Sequence, residues 1–211
     1  GNGANRTIRI NPAANENGTA TLTVTVADAD GGSAADSLVL TVTPVNDAPT
    51  VSGALLGSSQ TPLPDNQDSA TLFVNLAFDD VDQGRPNQEN LTVTIIPGPN
   101  AYAIGRLRES GTDNVFSGTI TLTGTPASVT AQIRNIVFDP VANLVAVGQS
   151  ALYPVTLKVV DAAGAGASGN GTEPSVYVRS ANDPPALAAS TVPATIRDAG
   201  AATPFRLTIT D

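Results

Sequence analysis

Fifteen of the nineteen acidic residues are aspartates, and many fall in tight clusters: "DADGG" at 28–32, "LPDNQD" at 63–68 and "FDDVDQG" at 78–84. Carboxylates at such spacing can bind a hard cation, share acid–base work as a pair, or cap turns. Asp79, Asp80 and Asp82 have the residue type of a glycosidase pair. That chemistry needs two acids on opposite walls of an aromatic-lined cleft, and the chain has three Tyr and no Trp. There is no His, so no ordinary nucleophile–imidazole–acid triad can be assembled. The absence of Cys removes disulfides and thiolate metal sites together. The sequence therefore points away from an enzyme.

A second pattern frames the aspartates. "VNDAPT" at 45–50 is nearly repeated by "ANDPPA" at 181–186, each copy after a β-like run, "LVLTVT" or "SVYVRS". Asn-Asp before Pro forms an Asx-turn, and the Pro stiffens the joint.

The elements that must position these residues are mostly strands. The chain is 41% hydrophobic but only 4% aromatic, with 19 Gly and 16 Pro, which is a strand-and-turn composition. Alternation places Leu22, Val24 and Val26 on one face of 21–26, and Leu38, Leu40 and Val42 on one face of 37–42. The pattern continues with Leu72, Val74, Leu76 and Phe78 in 70–78, then Leu91, Val93 and Ile95, then Ile120 and Leu122. Val155, Leu157 and Val159 come next, then Val176 and Val178, and finally Phe205, Leu207 and Ile209 in 204–210. One segment breaks the period: Val129, Ile133 and Ile136 are spaced by four and three. Thr125 as N-cap and Pro126 as first helical residue predict a helix over 126–134, feeding a strand at 136–138. The fold class expected is all-β, built of tandem Greek-key sandwiches with that one short helix.

The chain also repeats. "IRINPAAN" at 8–15 matches "IVFDPVAN" at 136–143, and "VTVADADG" at 24–31 matches "LKVVDAAG" at 157–164. The segment 194–211 parallels 60–80, with Asp198 near Asp65 and Asp211 near Asp80. The units expected are 1–45, the later part of one repeat; 46–49, a linker; 50–181, a complete repeat; 182–185, a second linker; and 186–211, the first strands of a third.

The run of strand, "DGG" turn, strand and "VNDAPT" resembles the cadherin-like and immunoglobulin-like tandem repeats of large bacterial surface proteins, over essentially the whole chain. The resemblance implies calcium cages split across the linkers, since calcium takes six to eight oxygen ligands. At the first linker it implies Asn46 and Asp47, with Asp80, Asp82 and Asp161 from the following unit and Asn11 from the preceding one. At the second it implies Asn182 and Asp183, with Asp65 and Asp139 before and Asp211 after. The family's first linker Asp is Pro44 or Ser180 here, and the Asn after its central Asp is Ala48 or Pro184. These departures imply fewer ions or weaker binding, and leave open a plain Asx-turn hinge at each linker.

The expected function is a non-enzymatic, extracellular or cell-surface repeat array: a stalk, an adhesin, or a filament whose copies complete one another head to tail. The alternative is a spacer in a large secreted enzyme or carbohydrate-binding protein. Expected partners are neighbouring repeats or copies of the chain, with any cell-surface or carbohydrate ligand bound outside this segment. A net charge of −9 argues against nucleic acid. No apolar run reaches the roughly 18 residues of a membrane helix. No signal peptide is visible, which suits a mature chain or an internal segment. Four Asn-x-Ser/Thr sequons, at Asn5, Asn17, Asn90 and Asn170, read as by-products of a Thr- and Asn-rich sequence.

Overall fold

The computed structural model describes residues 6–66, 69–82, 90–167, 175–191 and 206–210. Among the described residues strands account for 42% and helices number two, so the fold is all-β in character. Chain order is β1 (Gly18–Ala27), β2 (Ser33–Val42), β3 (Thr50–Ser52), β4 (Leu63–Pro64), β5 (Ala77–Asp79), β6 (Leu91–Pro97), α1 (Ala101–Ile104) and β7 (Gly105–Glu109). Then come β8 (Ile120–Gly124), α2 (Pro126–Arg134), β9 (Ile136–Pro140), β10 (Ser150–Val160), β11 (Ser175–Arg179), β12 (Ala186–Thr191) and β13 (Arg206–Thr210).

The largest sheet has the order β4-β11-β10-β6-β8 and is antiparallel except for the short parallel β4–β11 contact. Two-stranded pairs β1–β2, β3–β5, β7–β9 and β12–β13 surround it in sequence. One hydrophobic core lies among the described residues, and every member falls between Val51 and Val178. Leu91, Val93 and Ile95 of β6 are fully buried, as alternation requires, and so are Val159 and Val176 from the neighbouring strands. Each such side chain contributes roughly 2 kcal/mol of burial. The helix forms over the residues that the sequence predicts. The Thr125 hydroxyl accepts a bond from Ser128 N, Pro126 opens the first turn, and Val129 and Ile133 are fully buried.

Residues 70–78 depart from expectation. Only 77–79 is strand, and 72–75 is a run of turns closed by Leu76 N to Phe73 O at 3.0 Å. Leu72, Phe73, Leu76 and Phe78 are buried, while Val74 points outward. A turn rotates the chain by more than a strand does, so the alternate apolar residues do not share one face. In the β1–β2 hairpin, Leu22, Val24, Leu40 and Val42 are half-buried on the expected face, while Val26 and Leu38 are 67% and 48% exposed. No second layer covers them among the described residues. Strand β13 occupies much of the expected 204–210 run; Phe205 lies outside the described residues.

The repeats reappear as backbone geometry. Asn15 and Asn143 both adopt a left-handed φ, 59° and 55°. Gly31 and Gly164 match at 88° and 89°. Asp28 Oδ1 accepts Gly32 N at 2.7 Å, and Asp161 Oδ1 accepts Ala165 N at 2.7 Å. The β3–β5 pair begins with Thr50 opposite Asp79, and β12–β13 begins with Ala186 opposite Thr210, its counterpart in the repeat.

Candidate functional site: the linker joint

Aspartates of the 50–181 unit hold both of its ends. At the first linker, Asp47 N donates to Asp82 Oδ2 at 2.7 Å, and Asp82 N donates to Asp80 Oδ1 at 2.9 Å. Asn46 Nδ2 donates to Asp161 Oδ2 at 2.9 Å and to Asp47 O at 3.2 Å. The carboxylate fixes the orientation of that amide, because an ionised Asp only accepts. Asp80, Asp82 and Asp161 are all buried, at 5%, 7% and 3% exposure. Local sequence explains their positions. Asp79 and Asp80 lead from β5 into an Asx-type turn, with Asp80 N bonded to Asp79 Oδ1, and Asp161 ends β10 at a turn closed by Gly164.

At the other end, Asp65 is 2% exposed and accepts two backbone donors: Asn143 N at 2.9 Å and Ala181 N at 2.7 Å. It ties the start of the second linker to the 141–144 turn. Asn182 Nδ2 donates to Asp183 O at 3.3 Å, the local contact that Asn46 makes with Asp47. Asp139 is drawn elsewhere: Arg108 Nε reaches its Oδ2 at 2.6 Å. Asp139 lies opposite Arg106 in the β7–β9 register, so Arg108 is its diagonal neighbour on the same face. Asn11 is exposed and makes no hydrogen bond that ties it to the joint, and Asp198 and Asp211 lie outside the described residues.

The structure thus brings Asn46, Asp47, Asp80, Asp82 and Asp161 together. Asp82 Oδ2 and Asp161 Oδ2 already face N–H donors, and among the described residues no group of three acidic side chains converges to hold a metal. Sequence reasoning missed Glu16 and Asn17. With Asn15, Asp47 and Asp82 they line a cavity of about 160 Å³ at the joint. The signal was present in the repeat alignment, which carries the 15–17 turn to the same end of the unit as Asn143.

No protein-family model matches the chain, and no curated protein does either. Among the described residues no helix is long and apolar enough to cross a membrane.

Proposed function

We propose that the chain is a section of an extracellular, non-enzymatic array of cadherin-like or immunoglobulin-like β-sandwich repeats that acts as a stiff stalk or adhesin shaft. The observation that carries this reading is the joint. A linker Asn and a linker backbone N–H are both held by buried aspartates of the next unit, while the turns and strand registers of that unit recur in its neighbours. Fixing the linker at two points removes rotational freedom from the connection, and a series of such connections transmits extension instead of bending. Calcium enters this reading as a competitor for Asp82 Oδ2 and Asp161 Oδ2, substituting a cation for the N–H donors.

Small-angle scattering of the 211-residue chain tests the reading. The wild type should give one extended profile in chelator, and Asp82→Ala with Asp161→Ala should shorten the mean dimension and broaden the distribution. Superimposable profiles for the two proteins would contradict it.

A further inference from the structure

We propose that Asn17 is a site of spontaneous deamidation, and that its conversion places a new carboxylate in the wall of the first joint and loosens it. The sequence there is Asn17-Gly18, followed by Thr19. A glycine on the C-terminal side leaves its backbone nitrogen open to approach by the Asn side chain. Gly18 N attacks Asn17 Cγ, a C–N bond forms, and ammonia leaves with the old amide nitrogen. The resulting five-membered imide then takes up water, which breaks one of its two ring C–N bonds. The products are aspartate or its β-linked isomer at position 17.

The surroundings permit this chemistry. Gly18 has φ 131°, and a Cβ built on it would meet nothing within 4 Å, so the side-chain face of the dipeptide is open. Asn17 is half-buried and lines two cavities, the joint cavity of about 160 Å³ and a cleft of about 240 Å³ beside Pro12 and Leu40. Water therefore reaches it from both. The same segment contains its own controls. Asn11 precedes Pro12, whose nitrogen has no hydrogen and cannot close the ring, and Asn15 precedes Glu16, whose side chain hinders it. In the matching turn of the next unit, Val145 stands where Asn17 does; elsewhere in the chain Asn-Gly recurs at Asn2-Gly3 and Asn170-Gly171.

The consequence comes from charge. Asp47 and Asp82 also line the joint cavity, and Asp82 holds the linker through Asp47 N. Glu16 lines the same cavity, so the new group is a fourth carboxylate; it raises the like-charge repulsion in that small space and pulls against the latch. The test incubates the full 211-residue chain at 37 °C in mildly alkaline buffer and localises the amide-to-acid mass gain by fragmentation mass spectrometry. In parallel, a broad-specificity protease is used to follow cleavage within 43–49 for wild type, Asn17→Gln and Asn17→Asp. Conversion at Asn17 several-fold faster than at Asn15, none at position 17 in Asn17→Gln, and several-fold faster linker cleavage in Asn17→Asp are expected. Equal conversion at Asn15 and Asn17 would overturn the proposal, and so would linker cleavage in Asn17→Asp indistinguishable from wild type.

Discussion

Asn46 and Asp161 are 115 positions apart in the chain, yet the amide of one donates to the buried carboxylate of the other at 2.9 Å. This contact joins a linker to the residue that follows β10, late in the sequence of the unit after it. Replacing Asp161 with Ala should lower unfolding stability by about 1–3 kcal/mol, because the lost acceptor also serves Ala165 N. It should also speed proteolysis within 43–49. Asp28→Ala removes the counterpart turn without touching the linker, so it separates the two effects. Equal linker cleavage in both variants would show that the joint does not depend on Asp161.

The helix is a second point of attack. Ile133 is fully buried against the core. Ile133→Asp should cost several kcal/mol, on the order of 3–5, since an unpaired charge is placed in an apolar site. Chemical denaturation would reveal this as a lower midpoint or as loss of a cooperative transition. A stability within error of wild type would mean that the α2 face is not part of the core.

Gly105 opens β7 with extended backbone, and its hydrogen side lies against the Phe138 ring and Asp139 O. A methyl group there would overlap both, so Gly105→Ala should destabilise by about 1–3 kcal/mol as the ring or the β7–β9 pair shifts. The tilted contact between Phe138 and Tyr153, with ring centroids 4.6 Å apart, should be disturbed with it. Near-ultraviolet circular dichroism would register that change.

Tyr153 is fully buried, and its hydroxyl has no hydrogen-bond partner among the described residues. Burial, reinforced by the nearby Tyr102, holds its pKa well above the usual phenol value. In the unfolded chain the hydroxyl ionises near pH 10. Above that pH the unfolded state loses a proton that the folded state keeps, so the stability present below about pH 10 declines as the pH rises further. Tyr153→Phe should gain about 1 kcal/mol at neutral pH by removing an unsatisfied polar group, and should lose less stability in alkali. Denaturation curves at pH 7 and pH 11 test both effects.

Much of the strand pattern could be read directly, because β6, β10 and β11 bury one face and show it as period two. The helix was legible for a complementary reason: Thr125-Pro126 marks its start and Val129, Ile133 mark its buried side. Residues 72–76 misled because turns also space apolar groups, and neither Phe73 nor the rotation of the backbone shows in a count of alternate positions. The joint was partly legible. Asn46, Asp47, Asp80, Asp82 and Asp161 do converge, but their partners are N–H groups whose direction depends on backbone geometry that side-chain type does not encode. The Arg108–Asp139 ion pair was not legible, because the diagonal pairing exists only once β7 and β9 are in register.

Amide hydrogen exchange at Asp47, in metal-free buffer with chelator, tests the central claim most directly. Its N–H points at Asp82 Oδ2 at 2.7 Å, while Ala48 beside it is exposed. A hydrogen bond with a net value of about 1.4 kcal/mol corresponds to roughly tenfold slower exchange. The account predicts protection of about that size at Asp47 relative to Ala48, abolished in Asp82→Ala. Exchange at Asp47 as fast as at Ala48 in chelator, with protection appearing only when calcium is added, would contradict it.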